Sequence, residues 1–268
     1  MKIGKTEAPA TAICTSDADT ITVRGRELSR DLIGKLSFSE YFFFLVVGAV
    51  PDEDQRVLLD AVLVAIAEHG LVPSNQAARM TFAAAPDAMQ GAVAAGILGC
   101  GSVVLGSSEA CGRFLGGLVA EAAGDRDAFA AVARKALAAM RVERRPVPGY
   151  GHPQHSSGDP RTTRLLALAR ERGIAGDHVA MLEAVAAEIP GVYGRTLPIN
   201  VSGAIPAVML DAGFPAGALK GIPILARTAG LIAHLHEEAQ RPIGFALSAA
   251  GAAAVSYDGP TTAKMTEK

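Results

Sequence analysis

Tryptophan is absent from this chain, aromatic residues make up only 5% of it, and cysteine occurs three times. So few rings argue against an aromatic-rich β-sandwich. Half of the sequence is hydrophobic, supplied mainly by Ala, Val, Leu and Ile, a composition suited to closely packed helices. Cys14, Cys100 and Cys111 show no CxxC or metal-finger spacing, so three reduced thiols in a cytoplasmic protein are expected. Neither sign of charge dominates: a net charge of -2 leaves no global basic field and excludes nucleic acid as a partner. The opening stretch MKIGKTEAPATAICTSDADT has no apolar run, so no signal peptide is expected. There is no GxxxxGK[ST] phosphate loop and no GxSxG nucleophile elbow. GCGSVVLG begins like a dinucleotide fingerprint, but Val104 stands where the third glycine belongs and no strand precedes it.

What is present reads as helix after helix. At 268 residues the chain suits one large domain or two interlocked ones. Short β-prone pieces surround Ile21–Val23, and Ser29 is the expected N-cap of a short helix after them. Ser37 or Ser39 caps the next helix, which Gly48 terminates before Pro51. Asp52 caps another that runs to Gly70, directly after His69. From Ala88 to Ser108 no residue is charged, close to the length of a membrane span. That window is rich in Ala and Gly and has no flanking basic cluster or aromatic belt. A helix buried all round in a globular core is therefore expected, and no membrane partner. Further helices follow over 127–140, from Pro160, over HVAMLEAVAAEI (ending before Pro190), after LPIN, and over the long segment that Pro223 shapes near its start. His234 and His236 fall on opposite sides of that last helix, as surface or interface histidines would.

One stretch breaks the pattern. PGYGHPQHSSGDPR (148–161) packs three Pro, three Gly, two His, two Ser, Asp159 and Arg161 into one loop. His152 and His155 do not read as a metal site, because Pro153 separates them and no third ligand is spaced nearby. Gly149 and Gly151 permit backbone that approaches a ligand closely. His152, held on that turn, suits donation to a carbonyl or carbinol oxygen, while Arg161 can fork onto a carboxylate at an anion-friendly helix start. The plainer alternative is that Asp159-Pro160 is only a cap and His152 only a turn residue.

PGYGHxxxxxxDPR resembles the signature loop of the citrate synthase superfamily, which includes the citryl-CoA lyases. ITVRGRELSRDLIGKLSFSEYFFFLVVGAVPD, EHGLVPSNQAAR and ARTAGLIAHLHEEAQRPIG are similar to further landmarks of that superfamily, in the same order along nearly the whole chain. The resemblance implies an all-α, citrate synthase-like fold with short β pieces near the N-terminus. It implies a large helical domain over 1–109 and 221–268, a small one over 110–220, and a cleft between them for acyl-CoA. His152 would polarise the oxygen of an α-keto acid. His69, Arg161 and Arg227 would bind substrate carboxylates, and Arg241 would reach a neighbouring subunit's site. Gly149 and Gly151 would contact coenzyme A, which enters as a thioester substrate, with no metal. Ser202 takes the place of the superfamily's catalytic Asp, and Gly106 or Ser107 that of an enolate-stabilising His. Glu109 is a carboxylate in the same region.

The implied function is CoA-dependent carbon–carbon cleavage of a 3-hydroxyacyl-CoA to acetyl-CoA and a keto acid, by a homo-oligomer. The alternatives are a Claisen-type synthase on an altered substrate and a catalytically impaired acyl-CoA-binding protein.

Overall fold

The computed structural model describes residues 9–101, 105, 107–151 and 158–260. The β-prone start forms an antiparallel meander of β1 (Cys14–Ser16), β2 (Ile21–Val23) and β3 (Arg26–Glu27), with Thr15 opposite Thr22 and Val23 opposite Arg26. Arg24 and Gly25 turn the second hairpin with φ of 49° and 79°, as a tight two-residue turn of this hand requires. A single π-type turn over Leu28–Leu32 follows. Its cap is Glu27, whose carboxylate accepts from the Ser29 and Arg30 amides, and not Ser29 as expected. The longer carboxylate reaches two exposed amides where a serine hydroxyl reaches one.

The rest is helical. α1 (Phe38–Val47) carries a reciprocal capping box: the Glu40 amide donates to Ser37 Oγ, and the Ser37 amide to Glu40 Oε2. Gly48, at φ 89°, ends it. α2 (Glu53–Ala67) has the same device from Asp52 and Gln55, but stops short of the expected Gly70. α3 (Pro73–Ala84) and α4 (Met89–Leu98) follow. The charge-free window is thus not one helix buried all round. Gly99 and Gly101 break it after Leu98, which is 85% exposed, and α4 buries only one face, at Ala92 and Gly96. α5 (Ser107–Ala122), α6 (Phe129–Val142), α7 (Pro160–Glu171), α8 (Asp177–Tyr193), α9 (Val201–Asp211), α10 (Gly221–Gln240) and α11 (Gly244–Ala253) complete the order. α8 does not end before Pro190. It continues through it to Gly194, because proline forfeits one amide bond while the buried Val185 and Ile189 keep that face packed.

The chain divides into two compact units: Met1–Ala65 with Leu105–Pro223, and Ile66–Val104 with Ile224–Lys268. In the first, α9 is surrounded by α5, α7 and α8, so Val201 and every residue from Gly203 to Met209 are buried. Phe214 joins that core by packing on Phe42 and Phe43, each with ring centroids 5.9 Å away. At the end of α9, Asp211 accepts from the Gly176, His178 and Val179 amides and so caps the start of α8. In the second unit, α3 packs on α4 and α11, and Ala78, Phe82, Ala92, Leu231 and Leu235 form the core. α10 is long and apolar enough to meet the bare length criterion for a span, but its buried Arg227 and Glu238 belong to a polar network described below.

Candidate functional site

The glycine turn of the first unit is held by backbone. Gly149 and Gly151 have φ of 88° and 81°, which only glycine adopts without strain. The Asn200 amide donates to Gly149 O at 3.0 Å, and the Gly151 amide donates to Pro198 O at 2.7 Å. Asn200 Nδ2 closes the arrangement on Gly151 O at 2.7 Å, and Tyr150 forms a bridge with Ile199. Below the turn, Tyr150 Oη donates to Leu182 O. A Cβ on Gly149 would stand 2.6 Å from Cys111 Sγ and 2.8 Å from Gly203 Cα. One on Gly203 would stand 2.6 Å from Gly149 O. The two glycines therefore let turn and helix touch main chain to main chain, which places Ser202, half-buried in the first turn of α9, beside the turn. Gly151 differs: its nearest neighbour, Leu197 Cδ2, is 3.9 Å from where a Cβ would be. His152, His155, Ser156, Ser157 and Gly106 lie outside the described residues.

Asp159 ties this turn to α7. It is 2% exposed, caps α7 through the Arg161 amide at 3.0 Å, and accepts from the Val201 amide at 3.3 Å. The Arg161 fork closes back on the same carboxylate, with Nε to Oδ1 at 3.0 Å and Nη2 to Oδ2 at 2.8 Å. Burial raises the Asp159 carboxyl, but the Arg161 guanidinium and the two amides outweigh it and hold it below the usual carboxylate range. Burial alone pushes the nearby Cys111 thiol up to about 12, which leaves it a neutral packing residue. Ser107 opens α5, and Glu109 two residues on is paired with Arg113 at 2.8 Å.

The second unit holds His69, Arg227 and Arg241, organised by a residue the sequence reading missed. Asn75 on α3 is fully buried, and its Nδ2 lies 2.6 Å from Gly70 O, 3.1 Å from Glu68 Oε1 and 2.8 Å from His234 Nε2. Arg227 Nη1 donates to Asn75 Oδ1 at 3.4 Å. Glu68 accepts from the His69 and Gly70 amides at 2.8 and 2.6 Å, which fixes the turn on which the exposed His69 sits. His234 Nε2 is also 3.0 Å from Glu68 Oε2, so this histidine is a network member and not a helix-surface one. Burial raises the Glu68 carboxyl, but the His234 bond and the two amides hold it below its ordinary value.

Beside it, Arg79 is 2% exposed and pairs with Glu238 at 2.6 Å and Glu237 at 2.7 Å. Burial works against the guanidinium charge, and the two carboxylates more than restore it. Arg79 Nη2 donates to Arg241 O at 3.2 Å, while the Arg241 side chain is itself 81% exposed. A sequence signal existed: Asn75 and Arg79 are four apart on α3, and Arg227, His234 and Glu238 follow a seven-then-four spacing on α10.

The chain belongs to the citrate synthase family: residues 14–244 match the family model for the citrate synthase C-terminal domain. A citryl-CoA lyase from Hydrogenobacter thermophilus is 32% identical, with a TM-score of 0.84 over 95% of this chain and 96% of that one. ATP citrate lyase from Methanothrix soehngenii, solved with citrate and coenzyme A, shares the fold at 20% identity. It has a TM-score of 0.76 over 98% of this chain and 43% of that one. A citrate synthase-like protein of Phoma sp. is 26% identical over 228 residues, 82% of this chain and 47% of that protein. The chain thus spans about half the length of this curated relative.

Proposed function

We propose that this protein is a CoA-dependent carbon–carbon lyase of the citryl-CoA lyase type. It would cleave citryl-CoA or a close analogue to acetyl-CoA and a keto acid such as oxaloacetate. The observation that carries the reading is the likeness to citryl-CoA lyase at 32% identity over almost the full length of both chains. Local geometry supports it, since the Gly149–Gly151 turn, Ser202 and the Asp159–Arg161 helix start are assembled around the head of α9.

The reaction is a retro-aldol cleavage. A base takes the hydroxyl proton, the carbinol carbon becomes a carbonyl, and the electrons of the broken C–C bond pass to the thioester α-carbon. That enolate then takes a proton to give acetyl-CoA, so the proton count is unchanged. His152 is assigned to the hydroxyl oxygen, and His69, Arg161 and Arg227 to the substrate carboxylates. Ser202 and Ser107 are assigned as donors to the enolate. A serine hydroxyl is a poor base near neutral pH, which favours a donor role at Ser202 over proton abstraction.

A homo-oligomer to which the exposed Arg241 contributes across subunits belongs to the same reading. The test follows keto acid released from citryl-CoA by mass spectrometry. Release by the wild type and its loss in His152→Ala support the lyase. Free thiol from acetyl-CoA plus oxaloacetate, with no cleavage, would instead establish the second reading, a Claisen-type synthase, for which the family membership speaks.

A further inference from the structure

The polar network of the second unit contains a histidine whose proton can be placed by elimination. His234 on α10 presents Nδ1 to Arg79 Nη1 at 3.3 Å and Nε2 to Glu68 Oε2 at 3.0 Å. A guanidinium has donors and no acceptor, so Nδ1 offers it a lone pair. An ionised carboxylate only accepts, so Nε2 carries the proton.

Asn75 agrees with this placement. Its Nδ2 has two hydrogens and two oxygen acceptors, Gly70 O at 2.6 Å and Glu68 Oε1 at 3.1 Å. The Asn75 and His234 nitrogens, 2.8 Å apart, therefore stand side by side with their protons directed at oxygen. The opposite tautomer would let Nε2 accept from Asn75. It would also turn Nδ1–H onto a cation and a bare lone pair onto a carboxylate. Two charge-assisted bonds would be exchanged for one neutral bond of about half the strength of either.

Both ends of the arrangement are fixed. Arg79 is held by Glu238 and Glu237, and Glu238 also accepts from the Ile243 and Gly244 amides at 2.9 and 2.7 Å. At the other end, Glu68 Oε1 accepts from the His69 and Gly70 amides. One turn before His234, a Cβ on Gly230 would collide with Ala67 O and stand 3.1 Å from Glu68 Oε2. Glycine at that point lets α10 lie against the end of α2, which brings His234 within reach of Glu68. The Glu68 side chain is 47% exposed, so without these partners it would keep its rotamer freedom. Ending a helix requires none of this: α1 stops at Gly48 on a left-handed glycine alone.

We infer that His234, in its Nε2–H tautomer, is a positioning residue for the carboxylate-binding side chains: it ties the buried Arg79–Glu238 pair through Glu68 to the turn that carries His69. Asn75 is the second arm of the same device. It holds Gly70 O and accepts from Arg227 Nη1 at 3.4 Å, so one network sets both His69 and Arg227. The substrate role of those two residues rests on the function proposed above; the hydrogen-bond chain does not. A carboxylate that stays bound throughout cleavage is held equally in ground state and transition state. Loss of the tie therefore raises KM and leaves kcat nearly unchanged, the reverse of what removal of a group at the reacting atoms does.

The tautomer is read on the wild-type chain carrying isotopically labelled histidine nitrogen, by long-range proton–nitrogen correlation, with His234→Gln giving the assignment. A proton on Nε2 and none on Nδ1 is expected, and a proton on Nδ1 overturns the inference. This reading decides the matter even where a variant does not fold. His234→Leu, His234→Gln and His236→Leu are then compared by three readouts: KM and kcat for citryl-CoA, calorimetric affinity for oxaloacetate, and hydrogen exchange of the His69 amide. His236 is the control, an exposed residue of the same helix that bonds Gln240.

His234→Leu is expected to raise KM and to weaken oxaloacetate binding about tenfold, with kcat within about twofold of wild type and faster exchange at His69. His234→Gln, with one acceptor and one donor at the end of its side chain, restores most of each. His236→Leu changes none of them. Unchanged KM, affinity and exchange in His234→Leu overturn the inference. So does a fall in kcat at constant KM, or equal losses in the Leu and Gln variants with a lowered thermal midpoint, which would mark a packing role. If the wild type neither cleaves citryl-CoA nor binds oxaloacetate, the proposed function fails, while the tautomer and the His69 exchange still decide for or against the hydrogen-bond chain.

Discussion

The two units hold their candidate residues by opposite means. In the first, the Gly149–Gly151 turn is fixed by main-chain bonds to Pro198–Asn200 and by the contact of Gly149 with Gly203, helped by the neutral side chains of Asn200 and Tyr150. In the second, the turn carrying His69, together with Arg227 and Arg241, is organised by charged and amide side chains: Asn75, Arg79, His234, Glu68 and Glu238. Backbone placement is sensitive to shape and indifferent to pH. Side-chain placement tolerates small changes of volume and fails when a charge is lost. Substitutions that separate steric from electrostatic support should therefore divide cleanly between the units.

The largest effect is expected at Arg79→Met. Arg79 and Glu238 have side chains 3% and 1% exposed, so removing the cation leaves a buried carboxylate held only by the Ile243 and Gly244 amides. Breaking such a pair costs about 3–5 kcal/mol, which a denaturant titration would read directly. A neutral outcome would mean that Glu238 finds another partner or a proton, and the electrostatic account of this unit would fail. Next comes Gly149→Ala. The left-handed φ costs about 1–2 kcal/mol and the clash with Cys111 and Gly203 about 1–3 kcal/mol more. Gly151→Ala has the same φ problem and no clash, so only about 1–2 kcal/mol is expected. Equal losses at the two glycines would contradict the assignment of Gly149 to packing and Gly151 to open space.

The smallest effect is the pH response. Glu68, Glu238 and Asp159 all sit below their ordinary values of 4.5, 4.5 and 3.8. Their stabilisation is complete above those values and is lost as pH falls through the lower folded-state ones. Thermal midpoints should fall below about pH 4.5, with a shallower slope in Glu68→Gln, and should be insensitive to Gly151→Ala in their pH dependence.

Much of the fold was legible because its punctuation is local. The caps at Ser37 and Asp52, the Asp159-Pro160 start of α7 and the Gly48 stop all act within one turn of themselves. Failures arose where tertiary packing overrode local preference. Pro190 is a stop by local preference, yet α8 passes through it because Val185 and Ile189 are buried on the same face. The charge-free window has no local stop signal stronger than glycine, so its break at Gly99 to Gly101 and the one-sided burial of α4 were not visible. At the site, the loop over 148–161 and the residues Arg161 and Ser202 could be singled out from sequence. Asn75 and His234 could not, because a buried polar residue gains its meaning from partners distant in sequence, here 159 residues apart. The paired spacings on α3 and α10 were the available clue.

The reaction proposed for this protein is retro-aldol cleavage of citryl-CoA. Incubating the protein with citryl-CoA and quantifying acetyl-CoA, oxaloacetate and free coenzyme A thiol tests it most directly. Cleavage gives equal amounts of acetyl-CoA and oxaloacetate and no free thiol, and both products are lost in His152→Ala. Free thiol with citrate in place of those products, or cleavage that survives His152→Ala unchanged, would contradict it.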